Sequence, residues 1–375
     1  MKIAVVDCSV SGHRETYYRE FTRAWASLGH EVLLLAPRES GTGDVAAFSE
    51  ITVRPLLPLP IGKPFRKKLV VLENAIIRLR NLAALRRQLF DFHPDLAYFP
   101  CLDDMLPTLS LPGLFYRLLP YSWSGLLVQS ALPPYKPGVP DVRPFLRSSL
   151  CKGIGVLNEY SIDSLKAFQP RILRFPDFAD LSAPDDSYSL LHLLRERARG
   201  RKIVALLGSL GSRKGIDLLL RTVQLLPEDE YFFLMAGKSW LSEPQTGELE
   251  RVQASRSNCL FSLEQIPDEA CFNALVMAGD VVFAAYNGFT GSSNLLTKAA
   301  AFGKPIIVSQ GECMGKRVMA YGTGIAIPEG DAVACKDAVI HLCREGAPSP
   351  EGLAEYASDH HIGKLKTCLN EIIRL

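Results

Sequence analysis

Twice along this chain, a short apolar run breaks on small residues and gives way at once to a helical pattern. At residues 2–7 the run is "KIAVVD", followed by "CSVSG" and by a stretch, 13–28, with helical spacing through Tyr17, Phe21, Ala24 and Leu28. At 202–207 the run is "KIVALL", followed by a glycine loop at 208–215 and a helix whose Ile216, Leu219, Leu220, Val223 and Leu226 share one face. Runs this short, apolar along their whole length and rich in β-branched residues, read as parallel strands buried on both faces. A parallel neighbour requires a crossover, and here the crossover is a helix: Gly29 stops the first one, and "HEVLLLAP" at 30–37 is the next strand. A β-loop-α-β opening builds an open, doubly wound sheet, so two such openings predict two Rossmann-like β/α/β lobes and an α/β fold class.

Further signals fill in both lobes. "PDLAYFP" (94–100) and "KGIGVLNE" (152–159) read as later strands of the first, while "YFFLMAG", "NCLFSL", "DVVFAAY" and "KPIIVS" alternate with helical stretches in the second. Between them "FPDFADLSAPDDSYS" (175–189) is rich in Pro, Asp and Ser and reads as a linker. The expected domains are 1–178 and 190–350, joined by 179–189. A length of 375 residues suits two domains. Ligands of open α/β sheets bind beyond the carboxyl ends of the strands, so a cleft between the lobes is the expected site.

Forty-two basic against forty acidic side chains leave a net charge of +2, which gives no reason to expect a nucleic-acid partner. The nine cysteines have no C-x-x-C and no metal-ligand spacing, the pattern of free thiols in a reducing compartment. Met1 and Lys2 lead straight into a strand, and no apolar run approaches the ~20 residues that span a bilayer, so a cytoplasmic location is expected. The segment 65–89 is helical, with seven basic residues and one acid, Glu73. It is either an ordinary surface helix of the first lobe or a basic amphipathic helix lying on anionic lipid at the cytoplasmic membrane face.

Two segments have the chemistry to hold an anion. In Gly208–Ser209–Leu210–Gly211–Ser212–Arg213–Lys214–Gly215, glycines allow close backbone approach, the helix start offers N–H groups, and two cations stand beside them. In "TGSSNLLTKAAAFGKPI" (290–306), Thr290, Gly291, Ser292, Ser293 and Asn294 form a turn into a helix, with Lys298 four residues beyond Asn294. The plain alternatives are a solvated basic turn and a well-capped helix. In the first lobe, Gly12 and His13 open a helix after the first strand, and Asp103 and Asp104 follow a strand end. The latter are either a solvated loop or groups for sugar hydroxyls and proton transfer. His360 and His361, near the C-terminus, are expected at the surface, with no metal site. "AGKS" (236–239) lacks the first glycine of a phosphate-binding P-loop, Phe232 standing in its place.

In their order and spacing, "GSLGSRKGIDLLL", "FFLMAG", "IPDEACFNALVMAGDVVFAAY", "TGSSNLLTKAAAFGKPIIVS" and "GTGIAIPEGD" resemble the nucleotide-sugar lobe of GT-B fold glycosyltransferases of the retaining family 4 (glycosyl transferases group 1). "SGHRETYYREFTRAWASLGHEVLLLAP" is similar to their acceptor lobe. The resemblance implies a sugar transferred with retention from a nucleoside-diphosphate donor to a glycan, lipid-linked or small-molecule acceptor, with no metal and no cofactor. It implies donor contacts at Gly208, Ser209, Gly237, Ile266, Thr290, Gly291, Ser292, Ser293 and Asn294, and acceptor contacts at Gly12 and His13. Lys214 matches the lysine with which the family grips the diphosphate, whereas Ser209 stands in place of the arginine, a charge that Arg213 is placed to supply. Thr290 and Lys298 occupy the positions of the family's two glutamates. Arg213, Lys214 and Lys298 are therefore candidates for stabilising the leaving group, and His13, Asp103 and Asp104 for the acceptor side. The absence of both glutamates also admits a non-catalytic binding or scaffolding protein, and an epimerase or phosphorylase is a third reading. Chains of this kind commonly return at the end to the first lobe, which is the expectation for 351–375.

Overall fold

A computed structural model describes residues 1–8, 14–37, 45, 48–56, 67–109, 120–130, 132, 143–344 and 348–375, with the backbone alone at 14, 67–75, 78 and 107–109. The chain divides into two compact units, Met1–Pro176 with Ile362–Leu375, and Asp177–His361.

Among the described residues the first unit holds a seven-stranded parallel sheet. Its strands are β1 (Lys2–Val6), β2 (Glu31–Pro37), β3 (Ile51–Leu56), β4 (Leu96–Phe99), β5 (Trp123–Leu127), β6 (Cys151–Val156) and β7 (Ile172–Arg174), in the order β3-β2-β1-β4-β5-β6-β7. The second unit holds a six-stranded sheet of β8 (Lys202–Leu207), β9 (Tyr231–Ala236), β10 (Cys259–Ser262), β11 (Val281–Ala284), β12 (Ile306–Ser309) and β13 (Gly324–Ile327), in the order β10-β9-β8-β11-β12-β13. Each is the doubly wound arrangement that the two apolar starts predict. In both, the order reverses beside the first strand, between β1 and β4 and between β8 and β11, and the loops after those strands flank a crevice at the carboxyl edge.

The strands are near-continuous apolar runs because helices cover both faces. In β8 only Lys202 is exposed, and β9 is buried throughout. One face of the second sheet packs Ala205, Leu207, Leu234 and Val282 under helices Glu269–Ala278 and Asn294–Ala301. The other packs Val204, Leu206, Phe233 and Phe283 under Ile216–Val223 and Ala332–Arg344.

The segment read as a linker is not a solvated tether at its start: Phe175, Asp177 and Phe178 are all buried. The terminal segment also splits. Helix Pro350–Asp359 belongs to the second unit, where a side chain on Gly352 would meet the Tyr321 carbonyl oxygen at 1.8 Å and Tyr356 packs edge-on against Tyr321. Only helix Gly363–Arg374 lies with the first unit, burying Leu365, Leu369 and Ile372.

In the helix Lys67–Phe92, Leu82, Leu85 and Leu89 pack into the first unit's core while Arg80, Arg86 and Arg87 face outward. No helix among the described residues is long and apolar enough to cross a membrane. All nine cysteines are free thiols.

Candidate functional site

The carboxyl edge of the second sheet is held together by backbone approaches that only glycine permits. Gly237, at the end of β9, has φ 139°, and a Cβ there would lie 1.8 Å from the Gly208 carbonyl oxygen at the end of β8. Gly215 has φ 72°, and a Cβ there would lie 2.2 Å from the Ala285 carbonyl oxygen. The loops after β8, β9 and β11 are thereby pressed together at the switch point.

Beyond Gly208, the loop runs through exposed Ser209 to a single 3-10 turn at Ser212–Lys214, and Gly215 opens the helix Ile216–Val223. The loop after β11 clamps it. The Asn287 N–H donates to the Arg213 carbonyl at 2.8 Å, and the Asn287 side-chain amide to the Ser212 carbonyl at 2.9 Å. Lys214 Nζ donates to the Tyr286 hydroxyl at 2.7 Å and stands 4.0 Å from the centroid of that ring. The Arg213 guanidinium is exposed and lies 4.7 Å from the Phe289 ring. Two cations thus flank the crevice, each steadied by an aromatic side chain. Glu329 steadies the same loop by accepting from the Gly288 N–H at 2.9 Å.

The helix Asn294–Ala301 starts on the other side of the switch point. Exposed Thr290 and buried Gly291 lead into it, followed by half-buried Ser292, Ser293 and Asn294. A helix start leaves N–H groups without intrahelical partners and places partial positive charge there. Ser293, the N-cap residue, makes no side-chain capping bond. The Ser292 hydroxyl is turned inward: it donates to the Asp177 carboxylate and accepts from Arg317 Nη1 at 2.5 Å. Arg317 and Asp177 are themselves buried and 3.8 Å apart. Arg317 also donates to the Tyr356 hydroxyl at 3.3 Å, and Thr297 to the Asp177 carbonyl at 2.5 Å. His360 completes this cluster. It is fully buried, contrary to the surface position expected for it, because it stacks on Tyr356 and its Nδ1 accepts from the Asp177 N–H at 2.9 Å.

Lys298 requires a correction. It is 1% exposed, and its ammonium donates to the Asp180 carbonyl and to Asn273 Oδ1, each at 2.5 Å, and pairs with Glu269 Oε2 at 2.8 Å. Two hydrogen bonds and an ion pair thus engage the ammonium inside the second unit, where it is a poor candidate for a phosphate. Asn294 and Lys298 share one side of the helix, as their spacing requires. At Lys298 that side faces Asp180, Asn273 and Glu269.

Gly208 and buried Gly237 stand at the strand ends just described, and Ile266, beyond β10, is half-buried against the second core. In the first unit Asp103 stands at the start of helix Leu102–Leu109, beside the β1/β4 switch point. Its carboxylate accepts from the Val128 N–H at 2.6 Å and the Gln129 N–H at 3.4 Å, tying the loop after β5 to the end of β4. Burial pushes its pKa up to about 6, against the lowering effect of those N–H groups. Asp104 follows it, half-buried in the same first turn. Gly12 and His13 lie outside the described residues. No group of three His, Cys, Asp or Glu side chains placed to hold a metal occurs among the described residues.

Sequence reasoning missed Tyr286, Asn273, Asp177 and Arg317. Tyr286 carried a signal, since it ends the run "DVVFAAY" on the strand that neighbours β8 across the switch. The others are polar residues in helices or in a Pro/Asp-rich stretch, and no local pattern marks their burial.

Residues 201–345 match the family model described as glycosyl transferases group 1. No curated protein matches the chain. Among solved structures the chain is similar to a sucrose-phosphate synthase from Thermosynechococcus elongatus, at 15% identity and TM-score 0.72, covering 100% of this chain and 98% of that one. It is similar to HepE from Anabaena, solved with UDP and glucose, at 13% identity and TM-score 0.71, covering 100% and 99%. WaaG, a glycosyltransferase involved in lipopolysaccharide biosynthesis, matches at 14% identity and TM-score 0.68, covering 100% and 99%. The fold is therefore that of the GT-B glycosyltransferases. Residues 201–345, which lie within the second unit, are the part of the chain that matches the group 1 model.

Proposed function

We propose that the protein transfers a sugar from a nucleoside-diphosphate donor, held on the carboxyl edge of the second unit, to a carbohydrate or lipid-linked acceptor assigned to the first. The observation that carries this reading is the pair of anion-ready elements on either side of the β8/β11 switch point, inside the segment that matches the group 1 model. One is the β8 loop, with Lys214 and Arg213; the other is the mouth of the helix Asn294–Ala301. Breaking the bond between the sugar and the diphosphate leaves additional negative charge on the phosphate oxygens. Groups that meet that charge as it develops lower the barrier. In this reading Lys214, Arg213 and the N–H groups at 291–293 meet that charge, and the Arg317–Ser292–Asp177 cluster, which supports the reading, holds the turn in shape. Lys298 is a structural residue in this scheme. Retention of configuration and roles for His13, Asp103 and Asp104 on the acceptor side belong to the proposal. So does contact of Arg80, Arg86 and Arg87 with an anionic membrane face.

One observation favours a second reading. With Thr290 and an internally paired Lys298 at the two positions where the family has carboxylates, the unit can bind a nucleoside diphosphate without turning over a sugar. The test is release of nucleoside diphosphate from a panel of nucleotide sugars, with and without acceptors, beside calorimetry of the nucleoside diphosphates alone. Release supports transfer. Binding without release under any combination leaves the binding protein.

A further inference from the structure

Two of the chain's three tryptophans, Trp25 and Trp123, are fully buried, whereas Trp240 is 62% exposed. It stands in the loop after β9, and that loop is firmly held. The Trp240 N–H donates to the Leu210 carbonyl in the β8 loop at 2.7 Å, and the Ser239 N–H donates to the Leu263 carbonyl beyond β10 at 3.1 Å. Leu210 in turn donates its N–H to the Lys238 carbonyl at 2.9 Å. The indole is thus a large apolar plane left in solvent on a backbone bonded on both sides, next to the glycine loop. Lys238 Nζ lies 5.0 Å from the ring centroid and adds a positive charge beside it.

We infer that Trp240 is the platform on which the base of the nucleoside diphosphate stacks, an inference that rests on the nucleotide-sugar reading of the same edge. Spacing favours a base as the occupant. Neighbouring strands lie about 4.8 Å apart. From the crevice between β8 and β11 to β9 is one and a half spacings, about 7 Å, the gap that a ribose bridges between a diphosphate and its base. With the diphosphate at Lys214 and the helix mouth, the base reaches the β9 loop. Charge agrees, since Lys238, Arg213 and Lys214 are all cations on the path. An aromatic face accepts any base, so Trp240 supplies affinity, and the choice among bases falls to other groups.

The test uses the whole chain with UDP, GDP and inorganic pyrophosphate as probes. Because Trp240 is the exposed tryptophan, a base stacked on it quenches the solvent-facing emission and shields it from iodide, and pyrophosphate does neither. Trp240→Ala weakens the better-bound nucleoside diphosphate by about tenfold in calorimetry and leaves pyrophosphate unchanged; Trp240→Phe recovers part of the loss. Equal nucleoside diphosphate affinity in wild type and Trp240→Ala, with no protection from iodide, overturns the inference and leaves the function standing. Shielding by free sugars and not by nucleotides also overturns it. If neither nucleoside diphosphate binds the wild-type chain, the inference and the nucleotide-sugar reading fall together.

Discussion

The Lys298 ammonium makes two hydrogen bonds and an ion pair with Glu269, all inside the second unit. Removing one partner of a buried ion pair strands the other, at a cost of about 3–5 kcal/mol. Lys298→Ala should therefore lower the denaturation midpoint of the second unit, and nucleoside diphosphate affinity at temperatures where the variant is folded should stay near wild type. Lys298→Glu, which restores the family's residue type, should fare worse, because a second carboxylate would face Glu269 and the Asp180 carbonyl. A stable Lys298→Glu protein with raised activity would contradict this account. Asp103 gives a pH signature in the first unit. Its folded pKa is raised to about 6 from 3.8, so between those values the folded state binds more protons than the unfolded one. Stability conferred by that carboxyl is then present below about pH 4 and lost as pH rises through 6. Asp103→Asn keeps an oxygen for the Val128 N–H and should flatten that part of a stability–pH profile measured by denaturant titration.

At the scale of elements, strand and helix positions were legible wherever burial on both faces wrote them as continuous apolar runs. The strand expected at 202–207 is Lys202–Leu207, and the helix expected at 13–28 is Arg14–Ser27. The two glycine-bearing turns were legible as turns into helices for the same reason, since N-cap residues and glycines are local signals. What a side chain at the mouth touches was not legible. Lys298 meets Asp180 and Glu269, and His360 meets Asp177, across sequence separations that no periodicity encodes. The terminal segment was misjudged for a related reason: Pro350–Asp359 and Gly363–Arg374 are both amphipathic, and the pattern does not say which core each one covers. The clamp between the β8 and β9 loops is an element-scale claim with its own test. Gly237→Ala places a methyl against the Gly208 carbonyl at a φ that alanine resists, so it should cost more than about 1 kcal/mol and weaken nucleotide binding along with stability. Unchanged thermal stability by calorimetry would show that the loops part easily.

For the whole molecule, two units share one strand order, extended by a seventh strand in the first, and each presents a switch point; in the second, Lys214 and Arg213 stand beside it. The final helix, Gly363–Arg374, ties the chain's end to the unit in which it began, burying Leu365, Leu369 and Ile372. Each such side chain is worth about 1.5–3 kcal/mol on burial, so ending the chain after His361 should lower the first unit's transition in scanning calorimetry and leave the second near its original temperature. The central claim, a nucleoside diphosphate gripped beside Lys214, is tested most directly by calorimetric titration of UDP and GDP into wild type, Lys214→Ala and Thr290→Ala. A charge-assisted contact to phosphate is worth about 1.5–3 kcal/mol, so the predicted result is binding by wild type, a loss of tenfold or more in Lys214→Ala, and a smaller change in Thr290→Ala. Equal affinities in all three proteins, or no binding by any, would contradict the account.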